Sequence, residues 1–202
     1  MKPFRTNSII IILFILIPLS AISKRVSPLL RNISIYESPK NYPHLESSTK
    51  DTGTIKAFDL IKMLAGDWTG TFQWTGGRSA KGKMDARYYL TGNGSAVIED
   101  LLMEGKPMMT SVYHLDGSSL RMTHYCAAGN QPRLKANSID EGKKAIHFEF
   151  VDATNLLSSS DPHVFGLELQ FRDDDHISLI FAFRKADVES YEHVELFRTK
   201  SN

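Results

Sequence analysis

The chain has 202 residues, 42% of them hydrophobic and 23% charged, the composition of one ordinary folded domain with enough apolar material for a core. Its 24 basic residues are offset by 23 acidic ones, so it carries no excess positive field and nucleic acid is excluded as an expected partner. Cys126 is the only cysteine, which excludes an internal disulfide and leaves stability to packing.

The first residues follow the plan of a secretory leader. Lys2 and Arg5 precede an unbroken apolar run from Ile9 to Ile17, and Pro18, Ser20, Ala21 and Ser23 close it. Ala21 and Ser23 suit the two small-residue pockets of a signal peptidase, so residues 1–23 are read as a signal peptide cleaved before Lys24 and the protein as periplasmic or secreted. The apolar run is shorter than the ~20 residues that cross a hydrocarbon core, so no stable membrane span is expected after cleavage; an uncleaved anchor is the competing reading. Residues 24–53 are rich in Ser, Pro, Asn and Lys, show no sustained period, and are interrupted by Pro28, Pro39 and Pro43. They are read as a disordered tether, and residues 54–200 as the folded domain.

Leu60, Ile61 and Leu64 recur at helical spacing, which predicts a short helix that Gly66 stops, and Trp68 opens the first strand. The segments that follow are short, β-branched and aromatic, with turn chemistry about every ten residues. Strands are expected near 67–75, 83–91, 94–103, 107–115, 119–127, 132–139, 144–151, 163–172, 175–184 and 189–199, joined by hairpin turns such as Glu104-Gly105 and Asp116-Gly117. The fold class is therefore all-β: an antiparallel up-and-down β-barrel of about ten strands behind a short helix, since closing the sheet removes its exposed edges.

Alternation assigns the faces. Phe165, Leu167, Leu169 and Phe171 share one side of their strand, as do Ile177, Leu179, Phe181 and Phe183 of the next. In 94–103 a carboxylate, Glu99 or Asp100, falls inward whichever face is interior. Leu120, Met122, His124 and Cys126 share a face, which would point an imidazole and a thiol into the barrel. Two such ligands fall short of the three or four a zinc site needs, and a lone cysteine packs as a small hydrophobe, so no metal is expected. Nucleophile elbows, phosphate-cradling loops and zinc-protease helices are absent from the sequence, and no catalytic residue or cofactor is assigned. His44, His147, His163 and His176 show no ligand spacing and are read as surface or turn residues.

The helical turn running into Gly66-Asp67-Trp68 resembles the opening of a calycin (lipocalin-like) barrel. In those barrels the tryptophan closes one end, and a basic residue of the last strand lies across it and bonds carbonyls of the helical turn. The resemblance implies that role for Trp68 and for Arg198, with Lys200 as the alternative. Tyr113-His114-Leu115-Asp116-Gly117 and the run from Leu120 through Thr123-His124-Tyr125-Cys126 to Arg133 look like a family of exported bacterial calycin-like barrels with no assigned function. The likeness covers about Phe58 to Lys200 by the strand count. Nitrobindin-type haem barrels are a more distant likeness; they carry an axial histidine near the final strand, a place taken here by His193. Alternation sets His193 opposite Val194 and Leu196, hence outward.

Three functions stay open. The first is a barrel holding a small, largely apolar molecule, with Glu99, His124 and Arg133 as the ligand-binding polar contacts. The second is an enzyme built on an interior His/Glu pair. The third is a filled barrel serving as an interaction module.

Overall fold

The computed structural model describes residues 52–199, so the expected leader, nearly all of the expected tether, and Lys200 lie outside the described residues. Helix α1 (Thr52–Lys62) leads into ten strands: β1 (Gly66–Gly76), β2 (Lys81–Thr91), β3 (Ala96–Met103), β4 (Lys106–Asp116), β5 (Ser119–Tyr125), β6 (Gln131–Asp140), β7 (Ala145–Thr154), β8 (His163–Phe171), β9 (His176–Lys185) and β10 (Val188–Arg198). Each strand pairs antiparallel with its neighbours in sequence, and β1 pairs with both β2 and β10, which closes the barrel. Among the described residues no sheet edge is left to template a second chain.

One end of the barrel is shut by the helix. α1 buries Ala57, Phe58 and Ile61, with Leu64 just beyond it, against β4, β5 and β6, whereas Leu60 is only half-buried. Gly66 turns the chain from helix to strand at φ 134°, a backbone conformation that side-chain-bearing residues rarely adopt. Trp68 is then fully buried, its indole nitrogen donating to Leu64 O at 2.8 Å and its ring meeting Tyr88 edge-on. Arg198 lies across it, guanidinium carbon 4.3 Å from the ring centre, and donates to Ala65 O and Met63 O at 2.9 Å each. Both carbonyls belong to the turn between the helix and β1. Register explains the meeting, because Trp68 and Arg198 are directly opposed across the β1–β10 seam.

The interior follows the alternation, with inward side chains such as Val97, Leu101, Met122, Leu169, Leu179 and Leu196 at or near zero exposure. One expectation fails. A β-bulge between Val164 and Gly166 puts an extra residue into β8, so Val164 and Leu167 point inward while Phe165 is half-buried outside, beneath the Arg184 guanidinium. Along β10, Ser190, Glu192, Val194 and Leu196 face in and His193 faces out, where Nε2 lies 3.1 Å from Thr75 Oγ1. Among the described residues no helix is long and apolar enough to cross a membrane.

Candidate functional site: the open end of the barrel

The far end of the barrel, away from α1, is not filled. Residues near the end of β1, the start of β2, the end of β3, the start of β4, the end of β5, the start of β8, the end of β9 and the first half of β10 surround a cavity of about 320 Å³. Its walls are Trp74, Phe181, Phe183, Val164 and the thioethers of Met84, Met103, Met108 and Met109; Cys126, Ala127 and Ala128 form one lip. Its polar groups are His124, Glu192 and Arg78.

The base of the cavity is set by strand register. Tyr88, Glu99, Ser111 and His124 are opposed in turn across β2, β3, β4 and β5, so four inward residues form one transverse row. All four are essentially inaccessible to solvent. Cross-strand neighbours on one face stand about 5 Å apart at Cβ, close enough for a continuous hydrogen-bond chain. Glu99 Oε2 accepts from Tyr88 Oη at 3.0 Å and from Tyr113 Oη, one row nearer the closed end, at 2.7 Å. Ser111 Oγ donates to Glu99 Oε1 at 3.4 Å and lies 3.0 Å from His124 Nδ1. His124 Nε2 is buried and has no hydrogen-bond partner among the described residues. Its ring lies 5.3 Å from that of Phe181.

Burial controls the charges here. Desolvation raises Glu99 to about 7, although the hydrogen bonds from Tyr113, Tyr88 and Ser111 oppose it. Desolvation lowers His124 to about 4, so its imidazole is neutral at ordinary pH. Glu192, on the cavity wall, is likewise raised to about 7 by desolvation, against the opposing pull of Arg78 and a hydrogen bond from the Trp74 indole. Arg78 spans the mouth, its guanidinium carbon 4.6 Å from the Trp74 ring centre and 3.8 Å from that of Phe183.

The three residues expected to contact a ligand are therefore not equivalent. His124 reaches the cavity, and Glu99 stands behind it, joined only through Ser111, so the two do not form the directly paired acid and base of the enzyme reading. Arg133 is a correction. Pro132 and Leu134 take the inward positions of β6, which turns Arg133 to the outer face, where it grips its cross-strand neighbour Asp152 with two hydrogen bonds. That signal was present in the sequence, where Leu134 and Ala136 alternate with Arg133 and Lys135. Glu192, missed by sequence reasoning, shares the alternation of Val194 and Leu196. Arg78 sits in the β1–β2 turn, where no period could have found it. Cys126 is part-buried at the lip, its thiol raised by burial rather than activated. His163, expected at the surface, is buried, with Nδ1 2.7 Å from Asp161 O and its ring against Phe150. No group of three or more His, Cys, Asp or Glu that could hold a metal ion occurs among the described residues.

No protein-family model and no curated protein matches this chain. Among solved structures, that of Rv2717c from M. tuberculosis is similar, with a TM-score of 0.52 at 16% identity over 71% of this chain and 98% of that one. The S-type phycobiliprotein lyase CPES from Guillardia theta matches at TM-score 0.41 and 8% identity, over 75% of this chain and 99% of that one. At such identity the first likeness is one of fold. The closed ten-strand barrel with its helical plug is calycin-like.

Proposed function

We propose that this protein is an exported barrel that binds a small, largely apolar molecule in its open end. One observation carries the reading: a cavity of about 320 Å³ with apolar walls has at its base a buried imidazole whose Nε2 has no partner among the described residues. Its volume lies in the range of about 300–1,000 Å³ typical of small-molecule sites. A buried polar atom left unsatisfied costs about 1–3 kcal/mol, a penalty that a polar atom of a ligand removes. The four thioethers suit such a wall, because methionine repacks around differently shaped guests with little strain. Export rests on the leader-like sequence of residues 1–23.

Native mass spectrometry of the protein recovered from its own host tests the reading. The expected result is an adduct of small-molecule mass that is released on denaturation. It should be lost in Ala128→Trp, which places an indole at the lip without touching the core. A protein that leaves its host bare, and whose melting temperature no apolar molecule raises, would overturn the proposal.

A further inference from the structure

We propose that the cavity selects an apolar molecule bearing a hydrogen-bond donor, most simply a hydroxyl, whose hydrogen is accepted by the lone pair of His124 Nε2. This rests on the open end being a ligand site and names the chemistry it reads. The argument is a count of hydrogens along the buried row. Above pH about 7 Glu99 is ionised and only accepts, so it takes hydrogens from Tyr88 and Tyr113 on Oε2 and from Ser111 on Oε1. A serine hydroxyl has a single hydrogen. With that hydrogen directed to Glu99, Ser111 can meet His124 Nδ1, 3.0 Å away, only with a lone pair. Nδ1 must therefore carry the proton of the neutral ring, and Nε2 is left bare, buried and in the cavity wall.

The polarity of the site follows. Its base offers an acceptor, and its nearest strong donor is Arg78 at the mouth, stacked on Phe183 and Trp74. A hydroxyl group is thus served at the bottom, and an acceptor group only near solvent. Glu99 touches no ligand in this scheme. It is a positioning residue that sets the tautomer of His124 through Ser111.

Three naphthalenes of similar shape separate the possibilities: β-naphthol, which donates and accepts; β-naphthyl methyl ether, which only accepts; and β-methylnaphthalene, which does neither. At pH about 8, above the value of about 7 for Glu99, titration calorimetry should show β-naphthol binding about tenfold tighter than the other two, which bind alike. In Glu99→Gln the amide donates to Ser111, whose hydroxyl then turns to Nδ1 and moves the imidazole proton to Nε2. The ether should then bind about tenfold tighter than the hydrocarbon, a reversal that mere loosening of the barrel cannot produce. NMR of the imidazole nitrogens reads the tautomer without any ligand: Nδ1–H in the native protein, Nε2–H in the variant. Equal binding of all three compounds, or Nε2–H in the native protein, would overturn the inference while leaving the cavity reading standing. Failure of all three to bind would overturn both.

Discussion

Arg198→Ala removes the clasp that shuts the helical end of the barrel, and its cost can be built from the contacts. Arg198 is three-quarters buried, with 26% of its side chain exposed. Its stacking on Trp68 at 4.3 Å is worth about 0.5–2 kcal/mol. Each hydrogen bond to Ala65 O and Met63 O adds about 1 kcal/mol, because both carbonyls lose their partner when the guanidinium goes. The ion pair with the exposed Asp175 carboxylate, at 3.2 Å, adds little. The sum predicts a loss of about 2.5–4 kcal/mol, read as a fall in melting temperature of roughly 5–15 °C for a domain of this size. Arg198→Lys should recover only part of the loss, since an ammonium cannot stack and fork to two carbonyls together. Thermal and urea unfolding of purified protein measure it. A loss below about 0.5 kcal/mol would mean that the helical plug holds without the clasp, and the reasoning from orphaned carbonyls would be wrong.

Three further outcomes are expected. Gly70→Ala should prevent stable folding or cost about 3 kcal/mol or more, because a Cβ there would stand 1.8 Å from Glu195 O, and relief requires parting the β1–β10 seam; soluble yield and unfolding midpoint report it. Glu192 has a folded value of about 7 against 4.5 as its reference, so its folded form holds the proton more tightly, and its contribution to stability is present below pH 4.5 and lost as pH rises through about 7. Glu192→Gln should therefore gain on the native protein between pH about 5 and 8, by at most about 3 kcal/mol, and a constant difference across that range would refute the assignment. Cys126 should react slowly with thiol reagents in the native state, quickly in denaturant, and more slowly still with β-naphthol in the cavity, since burial raises its thiol and it forms part of the lip; rapid native labelling would contradict this.

Much of the barrel could be read from local pattern. Turn pairs such as Asp116-Gly117 and alternating runs such as Ile177 to Phe183 set all ten strands within three residues of where they lie. The inward position of His124 follows from the same period of two, and so do those of Glu192 and Leu134 once it is applied without favouring residues that look functional. Arg133 carries the same signal, since it alternates with Pro132 and Leu134, which face inward. Phe165 is different, because the bulge beside Gly166 shifts the period, and its one local mark is that glycine inside an otherwise apolar strand.

The sequence by itself determined the strands, most of their faces and the tryptophan that opens the first of them, because backbone sterics and the polarity of successive side chains act within a few residues. What stands opposite what was decided only by the tertiary structure. Tyr88, Glu99, Ser111 and His124 are spread over 37 positions of chain, and only the register of three hairpins aligns them into a row. That register is a collective outcome of turn geometry, bulges and closure of the whole barrel, and a shift of two residues in one hairpin would keep every face correct while breaking the chain of hydrogen bonds behind Nε2.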